Sequence, residues 1–253
     1  MKKKGRSLCV YSPKGGVGKT ILTMNLAGIA AVLGKKTLII DLDLFNGGMA
    51  LLTKEDIVNK NIFKLNSDVE NGIINEMSNY IIAYKKNIDI LCAPKDPRDA
   101  IKVDPKFIGS LIDKMEYSYD LVLIDTSSYL DKVNLNALNE SDNILLVMTN
   151  DLLSIKNTKN IVTVFKDTNV DNYKILLNEG IDNIDTYFSY KDIKRIIGTN
   201  IDYSIEKTFF IKELTSYIYN REIPVLNKNI FANYKKEIAK LENVINDLFK
   251  EEK

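Results

Sequence analysis

The sequence predicts an α/β protein in which helices cover both faces of a mainly parallel β-sheet. Short apolar runs, each about the length of a strand, alternate along the 253 residues with longer amphipathic runs. The short runs are apolar at consecutive positions, which is typical of strands buried on both faces. No linker rich in proline, glycine or serine divides the chain, and its 45% hydrophobic content suffices for a packed core. We therefore expect residues 1–253 to form a single domain.

The first half of the chain contains three predicted strands and two predicted helices. "SLCVYS" is the first strand, and "KTILTMNLAGIAAVLG" follows as a helix that ends near Gly34. "KTLIIDLD" is the second strand, and "NIDILCAP" is the third, which stops at Pro94. Asp104 precedes Pro105 at the start of "DPKFIGSLIDKM", which is the usual beginning of a helix.

The second half continues the alternation. "YDLVLIDTS" and "NILLVMTN" are strands, and "VNLNALNES" is a helix between them. "SIKNTKNIVTVFKD" is a helix after Ser154, "YKILLNEG" is a strand and "SYKDIKRIIG" is a short helix. "FFIKELTSYIYN" has a helical pattern, and "IFANYKKEIAKLENVINDLFKEEK" is the last helix, with apolar residues at helical spacing.

The composition argues against several functional classes. The chain has no histidine and two cysteines, which argues against a Cys/His zinc site and a Ser-His-Asp triad. Cys9 and Cys92 lie in predicted strands, so we expect buried free thiols, as in a reducing cytosol. A formal net charge of +1 offers no global attraction for nucleic acid or an anionic membrane.

A glycine- and lysine-rich stretch, "YSPKGGVGKTI", joins the first strand to the first helix. Glycines let consecutive backbone N–H groups converge on a phosphate, and a helix N-terminus adds unpaired donors and partial positive charge. Lys19 can reach the terminal phosphates, and the Thr20 hydroxyl can bind Mg²⁺. The strict G-x-x-x-x-G-K-[ST] pattern is not met because its first glycine falls on Pro13, and an additional lysine, Lys14, follows.

"KGGVGKT" resembles the deviant Walker A motif of the MinD/ParA group of P-loop ATPases. The resemblance covers nearly the whole chain and implies the three-layer P-loop NTPase fold, ATP or ADP with Mg²⁺ as ligands, and ATP hydrolysis. It also implies that Lys14 acts in trans, on the phosphates bound by the second subunit of an ATP-dependent homodimer. The residues that it places around the nucleotide are Lys14, Gly15, Gly16, Val17, Gly18, Lys19, Thr20 and Ile21.

Three aspartates follow predicted strands. Asp41 and Asp43 end the second strand, and Asp125 ends "YDLVLID"; ligands of such sheets bind at the carboxyl ends of the strands. The resemblance implies that Asp43 positions or activates the attacking water and that Asp41 supports the Mg²⁺ site. It also implies that Asp125, the Walker B acid, holds Mg²⁺ together with Thr20.

The chain departs from the family pattern at three places. "DTSSY" after Asp125 has neither the proline nor the glycine that the family usually carries there, and Ile21 stands where a second hydroxyl residue is common. We expect nucleotide binding to survive and turnover to be slow without a partner. Asn178 matches the family's adenine-binding asparagine, but Glu179 replaces the arginine that usually follows.

Three segments bear on the branch within the group: "LIIDLDLFNGGMALL", "YDLVLIDTSSYLDKVNLNALNESDNILLVMTNDLLSIKNTKNI" and "IPVLNKNIFANYKKEIAKL". Together they are most similar to the CpaE/TadZ branch, which positions pilus-assembly or tight-adherence secretion machinery. Members of that branch usually carry a receiver-like domain ahead of the ATPase, and we expect this chain to lack it because the chain starts at its first strand. The expected function is an ATP-hydrolysing spatial regulator, cytoplasmic and held at a pole or membrane through an unidentified protein partner.

Several alternatives remain open at the level of sequence. The altered stretch after Asp125 allows a nucleotide-binding scaffold that scarcely hydrolyses ATP. A ParA-like role in DNA partitioning would use Lys191, Lys194, Arg195, Lys228, Lys235 and Lys236, although acidic residues are interleaved with them. The last helix could lie on a membrane instead of packing in the core. A metal-cluster ATPase is disfavoured because Cys9 and Cys92 lie in strands.

Overall fold

The computed structural model of the chain describes residues 4–73, 75–179, 188–206 and 214–250. Eight strands form one sheet in the order β3-β4-β2-β5-β1-β6-β7-β8. Neighbouring strands are parallel except β3, which pairs antiparallel with β4 at one edge. The strands are β1 (Arg6–Tyr11), β2 (Thr37–Leu42), β3 (Ile82–Lys85), β4 (Ile88–Leu91), β5 (Leu121–Thr126), β6 (Asn143–Met148), β7 (Tyr173–Asn178) and β8 (Tyr203–Ile205).

Helices follow most of the strands. They are α1 (Lys19–Val32), α2 (Ile62–Glu70), α3 (Pro97–Ala100), α4 (Pro105–Glu116), α5 (Lys132–Glu140), α6 (Leu152–Asp167), α7 (Tyr190–Ile197), α8 (Leu214–Tyr219), α9 (Lys228–Asn233) and α10 (Lys235–Leu248). Short 3-10 turns cover Gly48–Leu52, Met77–Asn79 and Pro224–Leu226.

Two apolar cores, one on each face of the sheet, confirm the three-layer α/β fold predicted from the sequence. One core packs α1 and α10 against the sheet and includes Leu26 and Ile245. The other lies under α4, α5, α6 and α7 and includes Ile112 and Ile155. Central strands such as β2 are buried at all six positions, which explains why their sequences are continuously apolar.

The sequence missed some elements and misjudged one boundary. Helix α2, the antiparallel strand β3 and the edge strand β8 were not expected. The last helix is two helices, α9 and α10, because the backbone leaves the helical conformation at Tyr234. Of the predicted helix over residues 209–220, α8 supplies the second part, and residues 209–213 lie outside the described residues.

Helix α10 packs in the core. Ile238, Leu241, Val244 and Ile245 are each at most 2% exposed, so the apolar stripe of this helix is already covered by the rest of the chain. Of the two hypotheses for the last helix, a helix on a membrane surface and a helix packed in the core, this placement favours packing in the core. Among the described residues, no helix combines the length and the apolar composition needed to cross a membrane.

Candidate functional site

The loop between β1 and α1 leaves the start of α1 open. Gly16 and Gly18 adopt positive φ angles of 73° and 88°, a conformation that favours glycine. Gly18 is the N-cap of α1 and provides no side-chain hydrogen bond, whereas α4, α5 and α6 each begin with an aspartate that accepts a backbone N–H. The first N–H groups of α1 therefore remain available to an anionic ligand.

Lys19 and Thr20 form the first turn of α1. The Lys19 side chain is buried, and burial lowers the pKa of its ammonium, while the charges of Asp125 and Asp43 act in the opposite direction. The Ile21 side chain packs against the apolar core on the α1 side. Its backbone N–H belongs to the first turn, where a helix offers no internal acceptor. Ile21 could thus contact a nucleotide through its backbone.

Asp125 lies at the end of β5 and is fully buried. Its Oδ1 accepts a long hydrogen bond of 3.5 Å from the Thr23 hydroxyl, and its Oδ2 has no hydrogen-bond partner in the described part of the chain. Burial raises the pKa of Asp125 to about 7, although the Thr20 hydroxyl and the Lys19 charge oppose that shift. A buried carboxylate oxygen beside a threonine hydroxyl is a donor set that suits Mg²⁺.

Asp41 lies beside Asp125 because the two residues are paired in the register of β2 and β5. Its Oδ2 accepts the Met49 N–H at 2.9 Å, and its Oδ1 accepts the Asp43 N–H at 3.2 Å. Burial, with a further contribution from the Asp125 charge, raises the pKa of Asp41 well above its ordinary range. Asp41 therefore anchors the turn that follows β2.

The turn after β2 brings Asp43 to the same end of the sheet. The Asp43 carboxylate accepts the Asn46 side-chain amide at 2.9 Å, which holds the turn closed. Gly48 packs so closely on Thr20 that an added Cβ would lie 2.8 Å from the threonine methyl group. The sequence had no signal for this contact, which couples the turn after β2 to the first turn of α1.

The Lys14 side chain is directed toward the start of α6. Its ammonium forms an ion pair of 2.7 Å with Asp151, and both side chains are 26% exposed. Asp151 is also the N-cap of α6 and accepts the Thr149 hydroxyl at 2.5 Å. Burial would raise the pKa of Asp151, but the hydrogen bonds from Lys14 and Thr149 outweigh it, and the net shift is downward. Sequence reasoning missed Asp151, whose N-cap position before an amphipathic run was the available signal.

Asn178 ends β7 and is 1% exposed. Its Nδ2 donates to the Val17 carbonyl at 3.0 Å, so Asn178 ties the end of β7 to the glycine-rich loop. The adjacent Glu179 accepts from the Asn150 amide at 3.5 Å and from the Tyr190 hydroxyl at 3.3 Å. The predicted base-binding residue is therefore next to the loop, within a polar cluster at the carboxyl ends of β6 and β7.

A family model described as an AAA domain matches residues 5–179. Because it matches more than half of the chain, the chain belongs to this AAA domain family. Its glycine-rich loop and the relatives found by sequence place it more closely in the MinD/ParA group, with the deviant Walker A motif.

The relatives found by sequence are MinD proteins. The chain is 28% identical over 200 residues to a putative septum site-determining protein MinD of Oltmannsiellopsis viridis, an alignment that covers 76% of this chain and 61% of that protein. It is 25% identical over 177 residues to MinD of Bacillus subtilis, covering 69% and 65% respectively. The chain thus matches less than two thirds of the length of these relatives. They give no support to the CpaE/TadZ branch predicted from the sequence.

Solved structures share the fold at low identity. The cell division ATPase MinD of Pyrococcus furiosus superposes with a TM-score of 0.80 at 22% identity, covering 96% of this chain and 99% of that one. MinD of Pyrococcus horikoshii, complexed with Mg-ADP, has a TM-score of 0.79 at 21% identity and coverages of 96% and 97%. The Aquifex aeolicus MinC:MinD complex superposes with a TM-score of 0.76 at 24% identity, covering 98% of this chain and 99% of that one.

Proposed function

We propose that residues 1–253 act as one Mg²⁺-dependent ATPase domain that dimerises on binding ATP and positions a cellular machine, as a MinD-type spatial regulator. The observation that carries the proposal is the open first turn of α1 beside Asp125. There a buried ammonium, a threonine hydroxyl and a carboxylate oxygen without a hydrogen-bond partner among the described residues lie at the end of a glycine-rich loop. These groups complement a phosphate chain with its metal ion.

Each residue of the site has a proposed role. Residues 14–21 bind the phosphates through backbone N–H groups, and Lys19 stabilises the transferring phosphoryl group. Asp43 orients the attacking water. Thr20 and Asp125 would hold Mg²⁺, which when bound offsets the negative charge of the phosphate oxygens. Asp41 supports that site from the neighbouring strand and keeps the turn carrying Asp43 in place.

Lys14 contributes from the neighbouring subunit in the proposed dimer. In the single chain it is paired with Asp151, and a partly exposed ion pair contributes only about 1 kcal/mol or less. Phosphate oxygens of a second subunit's nucleotide can therefore compete for the ammonium at small cost. An added positive charge that arrives on assembly would make hydrolysis depend on dimerisation, in the manner of an arginine finger.

We also propose a protein partner and a peripheral membrane location. A MinD relative has been solved in complex with MinC, which makes a protein partner reasonable for this chain. Because the apolar stripe of α10 is buried, a cytoplasmic chain would reach a membrane through that partner or through another segment. Asn178 is proposed to contact the adenine base, since it lies between β7 and the loop at Val17.

A non-catalytic scaffold is the second candidate. The segment after Asp125 lacks the proline or glycine of the family switch, and this departure favours slow turnover. A DNA-partitioning role receives less support, since two of its six basic residues are already paired with carboxylates. Arg195 pairs with Asp192 at 2.9 Å, and Lys236 pairs with Glu206 at 3.0 Å.

The experiment that tests the proposal is ATP hydrolysis per monomer across a wide range of protein concentration, with Mg²⁺. A specific rate that rises with concentration and then saturates is expected if dimerisation assembles the site. Lys19→Ala should abolish the rate at every concentration, which controls for a contaminating ATPase. ADP binding without hydrolysis at any concentration would favour the scaffold, and the absence of nucleotide binding would overturn both candidates.

A further inference from the structure

The segment that follows β5 is held in place by a single buried side chain. Asn134, in α5, is fully buried, and its Nδ2 donates to the Ser127 hydroxyl and to the Tyr129 carbonyl, both at 2.7 Å. The Tyr129 N–H also donates to the Ser127 hydroxyl at 3.3 Å. Ser128 therefore lies between two residues whose positions are fixed by the same amide.

Ser128 is directed toward the glycine-rich loop. Its hydroxyl oxygen is 3.6 Å from the position that a Cβ on Gly15 would occupy, and it is the nearest atom to that position. In contrast to Ser127, the Ser128 hydroxyl has no hydrogen-bond partner within the described residues. A half-buried hydroxyl that faces the loop with its donor uncommitted is suited to a ligand bound there.

In the proposed site, the Gly15 end of the loop is the end farther from α1, where the terminal phosphate of a bound triphosphate would lie. Gly15 follows Lys14 at that end, and the first turn of α1 carries Thr20, proposed to hold Mg²⁺, and Lys19, proposed to reach the terminal phosphate. A diphosphate bound at the α1 end of the proposed site would leave the Gly15 end without a ligand. A donor beside Gly15 can therefore distinguish a triphosphate from a diphosphate.

We infer that the Ser128 hydroxyl donates a hydrogen bond to the terminal phosphate of the bound nucleoside triphosphate. This side-chain donor takes the place of the backbone N–H that a glycine in this segment would present, and glycine is absent from residues 125–129. The inference rests on the proposed nucleotide site and adds a residue that discriminates between triphosphate and diphosphate. Asn134 acts as a positioning residue, since it holds both neighbours of Ser128.

The test is the affinity of the full chain for Mg·ADP and for a non-hydrolysable Mg·ATP analogue, AMPPNP, measured by titration calorimetry. The protein concentration stays below that at which the specific hydrolysis rate rises, so that dimerisation does not contribute. Ser128→Ala should lower the affinity for AMPPNP roughly tenfold or more, which is the effect of one hydrogen bond to a charged group. Its affinity for ADP should stay within about twofold of the wild-type value. Ser128→Thr, which keeps the hydroxyl, should bind both nucleotides like the wild type.

Ser78→Ala, on the exposed turn before β3, is the matched control and should change neither affinity. Equal affinities of Ser128→Ala and wild type for AMPPNP would overturn the inference. An equal loss for both nucleotides would also overturn it, because it would reveal a structural role for Ser128. If the wild type binds ADP, the proposed nucleotide site is supported, and the Ser128 variants then test only the inference about the terminal phosphate. If the wild type binds neither nucleotide, both the proposed function and the inference are wrong.

Discussion

Lys14 and Lys19 belong to the same loop but lie in different environments. Lys19 is 8% exposed and faces the buried Asp125, so its position is set by the core of the site. Lys14 is more exposed and is paired with Asp151 on another element. A buried ammonium is costly to move, whereas a partly exposed ion pair exchanges readily. Lys19 is therefore suited to a fixed position in its own site, whereas Lys14 is suited to exchange Asp151 for the phosphates of a second subunit.

The first prediction concerns Lys14 and its proposed role in the dimer. Lys14→Ala should remove the concentration-dependent rise in ATP hydrolysis while leaving ADP affinity within about threefold, since phosphate binding by the loop is mostly through backbone N–H groups. Asp151→Asn keeps a good N-cap but weakens the hold on Lys14, so it should dimerise with ATP at lower protein concentration. Hydrolysis assays and sedimentation velocity measure the two effects.

Lys102→Ala, which removes an exposed lysine paired with Asp99, is the control and should behave like the wild type. If Lys14→Ala dimerised normally and hydrolysed ATP at the normal rate, the proposed action of Lys14 on the phosphates of the second subunit would be wrong.

The two cysteines support a second prediction at this scale. Cys9 and Cys92 are fully buried, and burial raises the pKa of Cys92 to about 12 and that of Cys9 further. Because the thiolate is the reactive form, neither cysteine should react with a thiol reagent at pH 8 in the folded chain. Both should react in denaturant, as followed by absorbance or mass. Fast labelling of the native chain would show that a thiol is accessible at the surface, which would remove the argument against a metal-cluster ATPase.

At the scale of elements, α1 is held against the 3-10 turn Pro224–Leu226 by close packing at Gly28. A Cβ on Gly28 would lie 2.6 Å from Val225 and 2.9 Å from Ile223, and both of these side chains are buried. The Asn25 side chain accepts the Val225 N–H at 3.1 Å, which prevents the turn from moving away. The helix that begins at the phosphate loop is therefore positioned by a distant part of the chain.

The third prediction follows from this packing. Gly28→Ala should lower the free energy of unfolding by about 1–3 kcal/mol, the usual cost of overpacking a core, despite the better helix propensity of alanine. Gly109→Ala is the matched control in α4, where the three atoms nearest to the added Cβ all belong to the exposed Glu140 side chain, which can turn away by rotating about its Cα–Cβ bond. That control should be neutral or slightly stabilising. Urea unfolding measures both, and equal stabilities for the two variants would contradict the packing argument.

At the scale of the whole molecule, one group of exposed apolar side chains lies around the glycine-rich loop. They occur in the segments that follow β2, β5 and β6, at the same end of the sheet as residues 14–20. Leu152, at the start of α6, is 70% exposed and follows directly on Asp151, the partner of Lys14. The set comprises Phe45, Tyr129, Leu130, Leu152 and Leu153. This edge is where the proposed dimer would form.

The fourth prediction tests that surface. Leu152→Glu should weaken ATP-dependent dimerisation roughly tenfold or more, because it places a charge in an interface that excludes water, and should leave ADP affinity unchanged. Val164→Glu carries the same type of change on the same helix, at an exposed position away from the loop, and should dimerise normally. Sedimentation with AMPPNP measures both. Normal dimerisation of Leu152→Glu would place the interface elsewhere, and an equal loss in the two variants would also contradict the prediction, because it would not depend on the position of the charge.

Much of the fold could be predicted because its signals are local. The continuously apolar strands, the Asp104-Pro105 helix start and the glycine-rich loop each lie within a few consecutive residues. Strands β3 and β8 were missed because they have four and three residues at the sheet edges, where burial is partial and the apolar pattern is weak. The break at Tyr234 was missed because neither proline nor glycine marks it.

The sequence by itself determined the α/β class, the glycine-rich loop over residues 14–20 between a strand and a helix, and the aspartates at the strand ends. These features depend on residue type and short spacing, and the parallel sheet brings strand ends together without further information. Only the tertiary structure decided that Lys14 pairs with Asp151, 137 residues away, that Asn178 holds the loop at Val17, and that α10 lies in the core. Such contacts arise from the packing of whole elements, which leaves no local pattern in the chain.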